Sequence, residues 1–291
     1  EIYGAQPPLE LIRQFFDYGG WFNTSNIEFM KIVNTSLFAT MGLPGGGLFD
    51  VPQRLLHHFF LIHSPKYEET TLLSIVNGLM SMQLQQYNPS IKDLINQTAT
   101  ATIGVFQRCV ETLLPIPSKL HYVFSLRNIV RVIKGMTLVG HEMVQSDTQF
   151  YRIWYHEMCR EFHDRFNQEN DRKWFLNVMD EVMNSNFKMS FKELCPDGSP
   201  MFNEFADSSQ KYKEVTCTKE QLLATCNTTL EESNKDASKT IDIVLFSEAI
   251  DHLSSLSRIF AMDRGHALLV GVKSSGRKSL ARLALHMASF D

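Results

Sequence analysis

Residues Gly271 to Leu280, reading Gly-Val-Lys-Ser-Ser-Gly-Arg-Lys-Ser-Leu, carry the glycine spacing of a phosphate-cradling loop. Glycines in that pattern let successive backbone N–H groups turn inward onto phosphate oxygens at a helix N-terminus, where the peptide dipoles favour negative charge. The apolar run Ala267 to Val270 reads as the strand before the loop, and a helix start follows it. Candidate phosphate contacts are therefore Gly271, Ser274, Ser275, Gly276, Arg277, Lys278 and Ser279. Arg277 takes the usual lysine position, and Lys278 takes that of the Ser/Thr hydroxyl that ligates Mg²⁺. Arginine keeps the charge but as a planar fork, and a protonated lysine cannot ligate a cation, so weak Mg²⁺ retention is expected. The rival reading is a glycine turn between strand and helix that holds no ligand. A complete site would need strands bearing metal-binding and water-activating acids, on the order of a hundred further residues.

No other residue set reproduces a catalytic or metal-binding spacing. His57, His58 and His63, and likewise His156-Glu157 with His163, lack the paired i, i+4 histidines of a zinc helix, and they read as helix-surface or interdomain histidines. No serine lies in a nucleophile-elbow context, and no cysteine has an activating neighbour. The five cysteines are odd in number and scattered, which suits reduced thiols of the cytosol. Catalytic residues and bound metals are therefore expected to be absent.

Positioning the loop requires a scaffold, and the chain supplies mostly helical patterns. At 291 residues, 44% hydrophobic and 21% charged, it has the composition of globular domains. A net charge of −4 gives no reason to expect nucleic-acid binding, and no apolar run reaches membrane-spanning length. The start lacks an initiator Met and a signal peptide, so the sequence reads as cut from something larger. Pro7-Pro8 open a helical stretch closed by Gly19-Gly20. Ser36 to Met41 reads as a buried strand delivering a Gly-rich loop, Gly42 to Gly47; Gln53 to His58 as a short helix; and Phe59 to Ile62 as a second strand. From Tyr67 the period turns helical over Thr70 to Tyr87, Ile91 to Leu114, Phe124 to Gly135, Ser146 to Phe166 and Asn170 to Phe187, with Met80 and Met82 expected in the core. Cys195 to Val215 reads as a linker, followed by helices near Thr218 to Ser233 and Lys239 to Met262.

Five stretches of the chain, in order, carry a resemblance. They are Tyr3-Gly4-Ala5-Gln6-Pro7-Pro8-Leu9-Glu10-Leu11-Ile12-Arg13-Gln14, Met41-Gly42-Leu43-Pro44-Gly45-Gly46-Gly47, and Phe124-Ser125-Leu126-Arg127-Asn128 with Arg131 and Gly135. The others are Trp154-Tyr155-His156-Glu157 followed by Asp164-Arg165, and Gly265 to Leu283. With them the chain resembles the motor ring of dynein heavy chains of the axonemal type, from the third AAA+ module after its Walker B strand to the phosphate loop of the fourth. The fold so implied is α/β plus all-α and mainly helical: a partial AAA+ P-loop NTPase core at 1–66, a helical lid and connecting helices at 67–190, a linker and entry helix at 191–240, and the start of a second core at 241–291.

The resemblance implies that Arg127 is a sensor-2 arginine reaching from the lid to phosphate, with Arg131 one turn on. His57 stands at the arginine-finger position of Arg54-Leu55-Leu56-His57-His58-Phe59, where a short and mostly neutral side chain supplies little charge. Gly42 occupies a sensor-1 position with nothing to orient water, and Gly47-Leu48-Phe49 departs from the usual Gly-Arg-Asn. These losses favour a regulatory or structural module over a hydrolysing one. The implied setting is an ATP-dependent microtubule motor of cytoplasm, cytoskeleton and ciliary axoneme, with ATP or ADP bound in the complete ring. Its implied partners are the adjacent modules, and, through the parent chain, intermediate and light chains and microtubules. This piece alone is expected to hydrolyse nothing. The alternatives are a structural AAA+ scaffold that binds no nucleotide, or part of an independent P-loop NTPase.

Overall fold

The computed structural model describes residues 6–42, 50–196, 198–206, 212–236, 240–273 and 275–290. The chain divides into two compact units, Glu1–Lys66 and Tyr67–Asp291.

In the first unit, α1 (Pro7–Tyr18) begins on two prolines and ends where Gly19 takes a left-handed conformation, φ 71°, and donates its N–H to Phe15 O at 2.8 Å. The chain then turns into the antiparallel hairpin β1 (Gly20–Phe22) and β2 (Phe29–Lys31), pairing Trp21 with Met30. A side chain at Gly20 would place Cβ 2.1 Å from Met30 O, so only glycine fits there. The Trp21 indole donates to Leu11 O at 2.6 Å and packs on Phe15, and α2 (Gln53–Leu56) returns to α1 through the Arg54–Glu10 ion pair at 2.6 Å. The sequence patterns for Ser36 to Met41 and Phe59 to Ile62 do not become strands. Both are irregular, with Phe38 97% and Phe60 99% exposed. An apolar run becomes a strand only when a neighbour completes its hydrogen-bond ladder, and no described residue does so here. Most of the Gly-rich loop, 43–47, and the following Leu48-Phe49 lie outside the described residues.

The second unit is built on helices α3 (Glu69–Gln83), α4 (Pro89–Asp93), α5 (Ile95–Thr112), α6 (Leu126–Met136), α7 (Asp147–Glu161), α8 (Glu169–Phe187) and α9 (Phe191–Leu194). The helix α5 packs on both α3 and α8, and α6 packs on α7. Val76, Met80, Ile103, Ile129, Val132, Trp154, Phe162, Phe175 and Met179 meet in one core. Met80 is buried as expected but Met82 is exposed, because two residues along a helix rotate the side chain to the opposite face. Two threonines inside α5 are made tolerable locally: Thr98 and Thr102 donate to carbonyls four residues back, and Trp154 Nε1 donates to Thr102 Oγ1 at 2.8 Å.

Described residues within the segment expected as a linker are packed. The two-residue strands β3 (Phe202–Asn203) and β4 (Lys213–Glu214) pair antiparallel, and Phe202, Asn203, Tyr212 and Cys195 are buried. Its turn-rich composition reflects the tight path of the chain and does not make it solvated. Beyond it, α10 (Lys219–Asp236), α11 (Ser247–Ala261) and α12 (Arg277–Met287) form a smaller core of Cys226, Leu253, Leu256, Leu280, Leu283 and Ala284. The run Ala267 to Val270 is irregular and unpaired, not a strand, with Leu268 89% exposed, for the reason given for the first unit. Among the described residues no helix is long and apolar enough to cross a membrane.

Candidate nucleotide-binding site

The loop ahead of α12 is shaped by its two glycines. Gly276 is the residue before the helix and holds φ 72°, a left-handed conformation that strains any other residue. At Gly271 a Cβ would lie 3.2 Å from Ser275 Oγ and 3.4 Å from Arg277 Cδ, so the loop curls back onto its own start. Burial of Leu280, Leu283 and Ala284 fixes the helix beneath. Arg277 and Ser279 are partly buried, while Ser275 and Lys278 are exposed; Ser274 lies outside the described residues. Neither Arg277 nor Lys278 has an ion pair among the described residues, which leaves both cations at a helix start where their charges oppose the dipole. That arrangement is unfavourable alone and favourable with an anion. No described group of three or more His, Cys, Asp or Glu residues could hold a metal ion.

Arg127 lies in the first turn of α6 with an exposed side chain and no acidic partner among the described residues. Its surroundings are fixed by its neighbours. Asn128 Oδ1 accepts from the Ser125 N–H at 2.8 Å, closing the helix start, while Asn128 Nδ2 donates to Glu161 Oε1 at 2.6 Å. The same Glu161 oxygen accepts from Arg131 at 3.3 Å and Arg165 at 3.1 Å. Among the described residues Arg127 and the 271–279 loop make no mutual hydrogen bond or ion pair, and their helices belong to different cores. In the first unit His57 is exposed against the His58 ring at 3.9 Å, and His58 contacts Asp17 at 3.2 Å.

Sequence reasoning missed a buried polar joint. Arg258 of α11 donates Nε at 2.9 Å and Nη2 at 2.6 Å to Glu157 Oε2 of α7, with the side chains 8% and 1% exposed. Gly135 of α6 makes room for it, since a Cβ there would fall 1.6 Å from Glu157 Oε2. Burial pushes the Glu157 carboxyl up, opposed by the charge and hydrogen bonds of Arg258. Next to it, His156 is buried; of the two settings expected for it, helix surface or interdomain, the surface one does not hold. Burial, with help from Arg160, holds its pKa well below the usual value. The neutral ring places Nδ1–H toward Pro200 O at 2.9 Å and leaves Nε2 to accept from the Tyr212 hydroxyl at 3.3 Å. The signal in sequence was an acid among apolar neighbours of one helix, Trp154, Tyr155 and Met158, which requires a cation from elsewhere. Burial pushes the thiols of Cys109, Cys159 and Cys226 up to about 12 and that of Cys195 up to about 11.

Three family models match this chain: "P-loop containing dynein motor region" over residues 1–67, "AAA+ lid domain" over 98–195, and "P-loop containing dynein motor region D4" over 241–291. Among similar curated proteins, dynein axonemal heavy chain 1 of Mus musculus is 35% identical over 306 residues, covering 100% of this chain and 7% of that protein. Dynein axonemal heavy chain 3 of Homo sapiens is 35% identical over 307 residues, with the same coverage. Dynein axonemal heavy chain 2 of Mus musculus is 33% identical over 293 residues, again across 100% of this chain and 7% of the relative.

Proposed function

Since the chain belongs to the dynein heavy chains, as a stretch of their motor ring, we propose that it transmits nucleotide state between neighbouring AAA+ modules of an ATP-dependent microtubule motor in the ciliary axoneme. The observation that carries this reading is the Glu157–Arg258 pair. Glu157 and Gly135 lie in the part matching the AAA+ lid, and Arg258 lies in the part matching the D4 region, so the lid and the start of the next core are joined by a buried ion pair in which two guanidinium N–H groups share Glu157 Oε2. Such a joint moves lid and core together, because opening it leaves a buried charge unpaired. Arg127 supplies the lid's contact to phosphate in its own module. The 271–279 loop supplies the phosphate cradle of the next, taking ATP or ADP with little dependence on Mg²⁺. Adjacent modules are its direct partners; microtubules, intermediate chains and light chains engage the parent chain elsewhere.

A complete motor ring carrying Glu157→Gln provides the test. We expect nucleotide binding at the 271–279 loop to persist while ATP-dependent gliding of microtubules slows several-fold. Unchanged gliding would remove the coupling role. A second reading, a ring segment that binds no nucleotide, is favoured by Arg277 and Lys278 standing where lysine and a hydroxyl are usual. Calorimetry of ATP and ADP on the ring with Arg277→Ala decides between them: loss of one binding event supports the cradle, and no change supports the scaffold.

A further inference from the structure

A cavity of about 790 Å³ opens between α7 and α11, bordered by the turn at 198–201 and the start of α10. Its volume lies in the range of small-molecule sites, and charged side chains are set into its wall. Four cations, Arg160, Arg172, Lys219 and Arg258, border it with two carboxylates, Asp164 and Asp251. Glu157 occupies Arg258, so three cations face two acids.

The guanidinium of Arg160 is only partly engaged. Its Nη2 reaches Asp164 at 3.1 Å and its Nη1 donates to Ser255 at 3.2 Å, while Nε is buried with no acceptor. Arg172 uses Nε on Phe166 O at 2.9 Å, and no described acid pairs with it. Lys219, at the start of α10, holds Asp251 loosely at 3.3 Å. A buried N–H with no acceptor is unfavourable, and planar forks beside an ammonium suit a tetrahedral oxyanion.

We propose that this cavity is a second anion site, separate from the 271–279 loop, that takes a small phosphate-class anion across Arg160, Arg172 and Lys219. It lies against the Glu157–Arg258 joint, so its occupancy acts on the same two helices without using the cradle. The proposal does not depend on whether the cradle binds nucleotide.

The test is calorimetry of the 291-residue chain with inorganic phosphate, pyrophosphate and ADP, in a background of Arg277→Gln and Lys278→Gln that discharges the cradle. Pyrophosphate binding that survives in this background is expected, weakening roughly tenfold in Arg160→Gln and about threefold in Lys219→Gln, as charge-assisted and exposed contacts do. Asp251→Asn is expected to tighten binding about threefold, because it frees Lys219 and removes a like charge. Gain of affinity cannot come from unfolding, so this variant keeps the outcome readable if Arg160→Gln fails to fold. Pyrophosphate binding tighter than ADP assigns a free anion, and the reverse order assigns a nucleotide's phosphate; either supports the site. Absence of binding at millimolar concentrations, or affinities untouched by Lys219→Gln and Asp251→Asn, would overturn it.

Discussion

The lid helices and the loop-bearing segment after them solve opposite problems. In the helical bundle, α3 and α5 to α8 bury Trp154, Phe162 and Phe175 completely, and the buried Thr102 hydroxyl finds a partner in Trp154. Its stability comes from within the described residues. In the segment from Ala267 to Val272 the apolar side chains of Leu268, Val270 and Val272 lie open, and the backbone has no ladder. Helices satisfy their own hydrogen bonds and need only a face to pack; a strand borrows its bonds from another strand. The second region is therefore the one whose final form depends on what pairs with it.

That contrast is best broken in the lid. Gly135→Ala forces a methyl into the space of Glu157 Oε2, displacing α6 from α7 and disturbing the buried pair. A loss of at least about 4 kcal/mol is expected from overpacking plus a broken buried ion pair, read by urea denaturation. A loss below about 1 kcal/mol would mean that the lid gives easily and is less self-sufficient than its packing implies.

Next in size are the partners themselves. Glu157→Gln and Arg258→Met should each cost about 3–5 kcal/mol, because each strands a buried polar partner, whereas Glu157→Leu with Arg258→Met should recover most of it. Additive losses in the double variant would show that the pair is not coupled.

A pH titration gives a smaller effect. The folded-state pKa of His156 is depressed, so the unfolded chain takes up its proton first as pH falls through about 6.5. Stability is thus full above about pH 6.5 and declines below it by up to about 1.4 kcal/mol per pH unit from this group. His156→Gln should flatten that slope between pH 7 and 5; an unchanged slope would assign it to other groups.

The smallest effects are expected outside the packed lid core. Arg127→Ala and Leu268→Thr should each change stability by no more than about 0.5 kcal/mol, since neither side chain is buried. A larger loss from Leu268→Thr would show that the unpaired run is packed in solution after all.

How legible each region was follows the same physics. Helices such as α6 and α8 were readable because the 3.6-residue period is local, and α1 because Pro7-Pro8 and Gly19 bracket it. The runs at 36–41, 59–62 and 267–270 have the composition of buried strands, but composition cannot report whether a neighbour is present. The β1–β2 hairpin was overlooked although Asn23-Thr24-Ser25-Asn26, between Trp21-Phe22 and Phe29-Met30, is a turn signal. The left-handed conformation of Gly276 follows from the glycine spacing of its loop. The Glu157–Arg258 joint could not be read, since 101 residues separate its members and only the fold brings them together.

The Glu161 hub has an entropic consequence for Arg127. Asn128 is held at both ends, by the Ser125 amide and by Glu161, and Arg131 and Arg165 close on the same carboxylate oxygen, so the backbone that carries Arg127 has already lost its freedom. In the phosphate contact proposed for Arg127, what would remain to be immobilised is its own rotamers, about 2 kcal/mol at most. A change at Glu161 would therefore weaken that encounter through disorder in a residue it never touches.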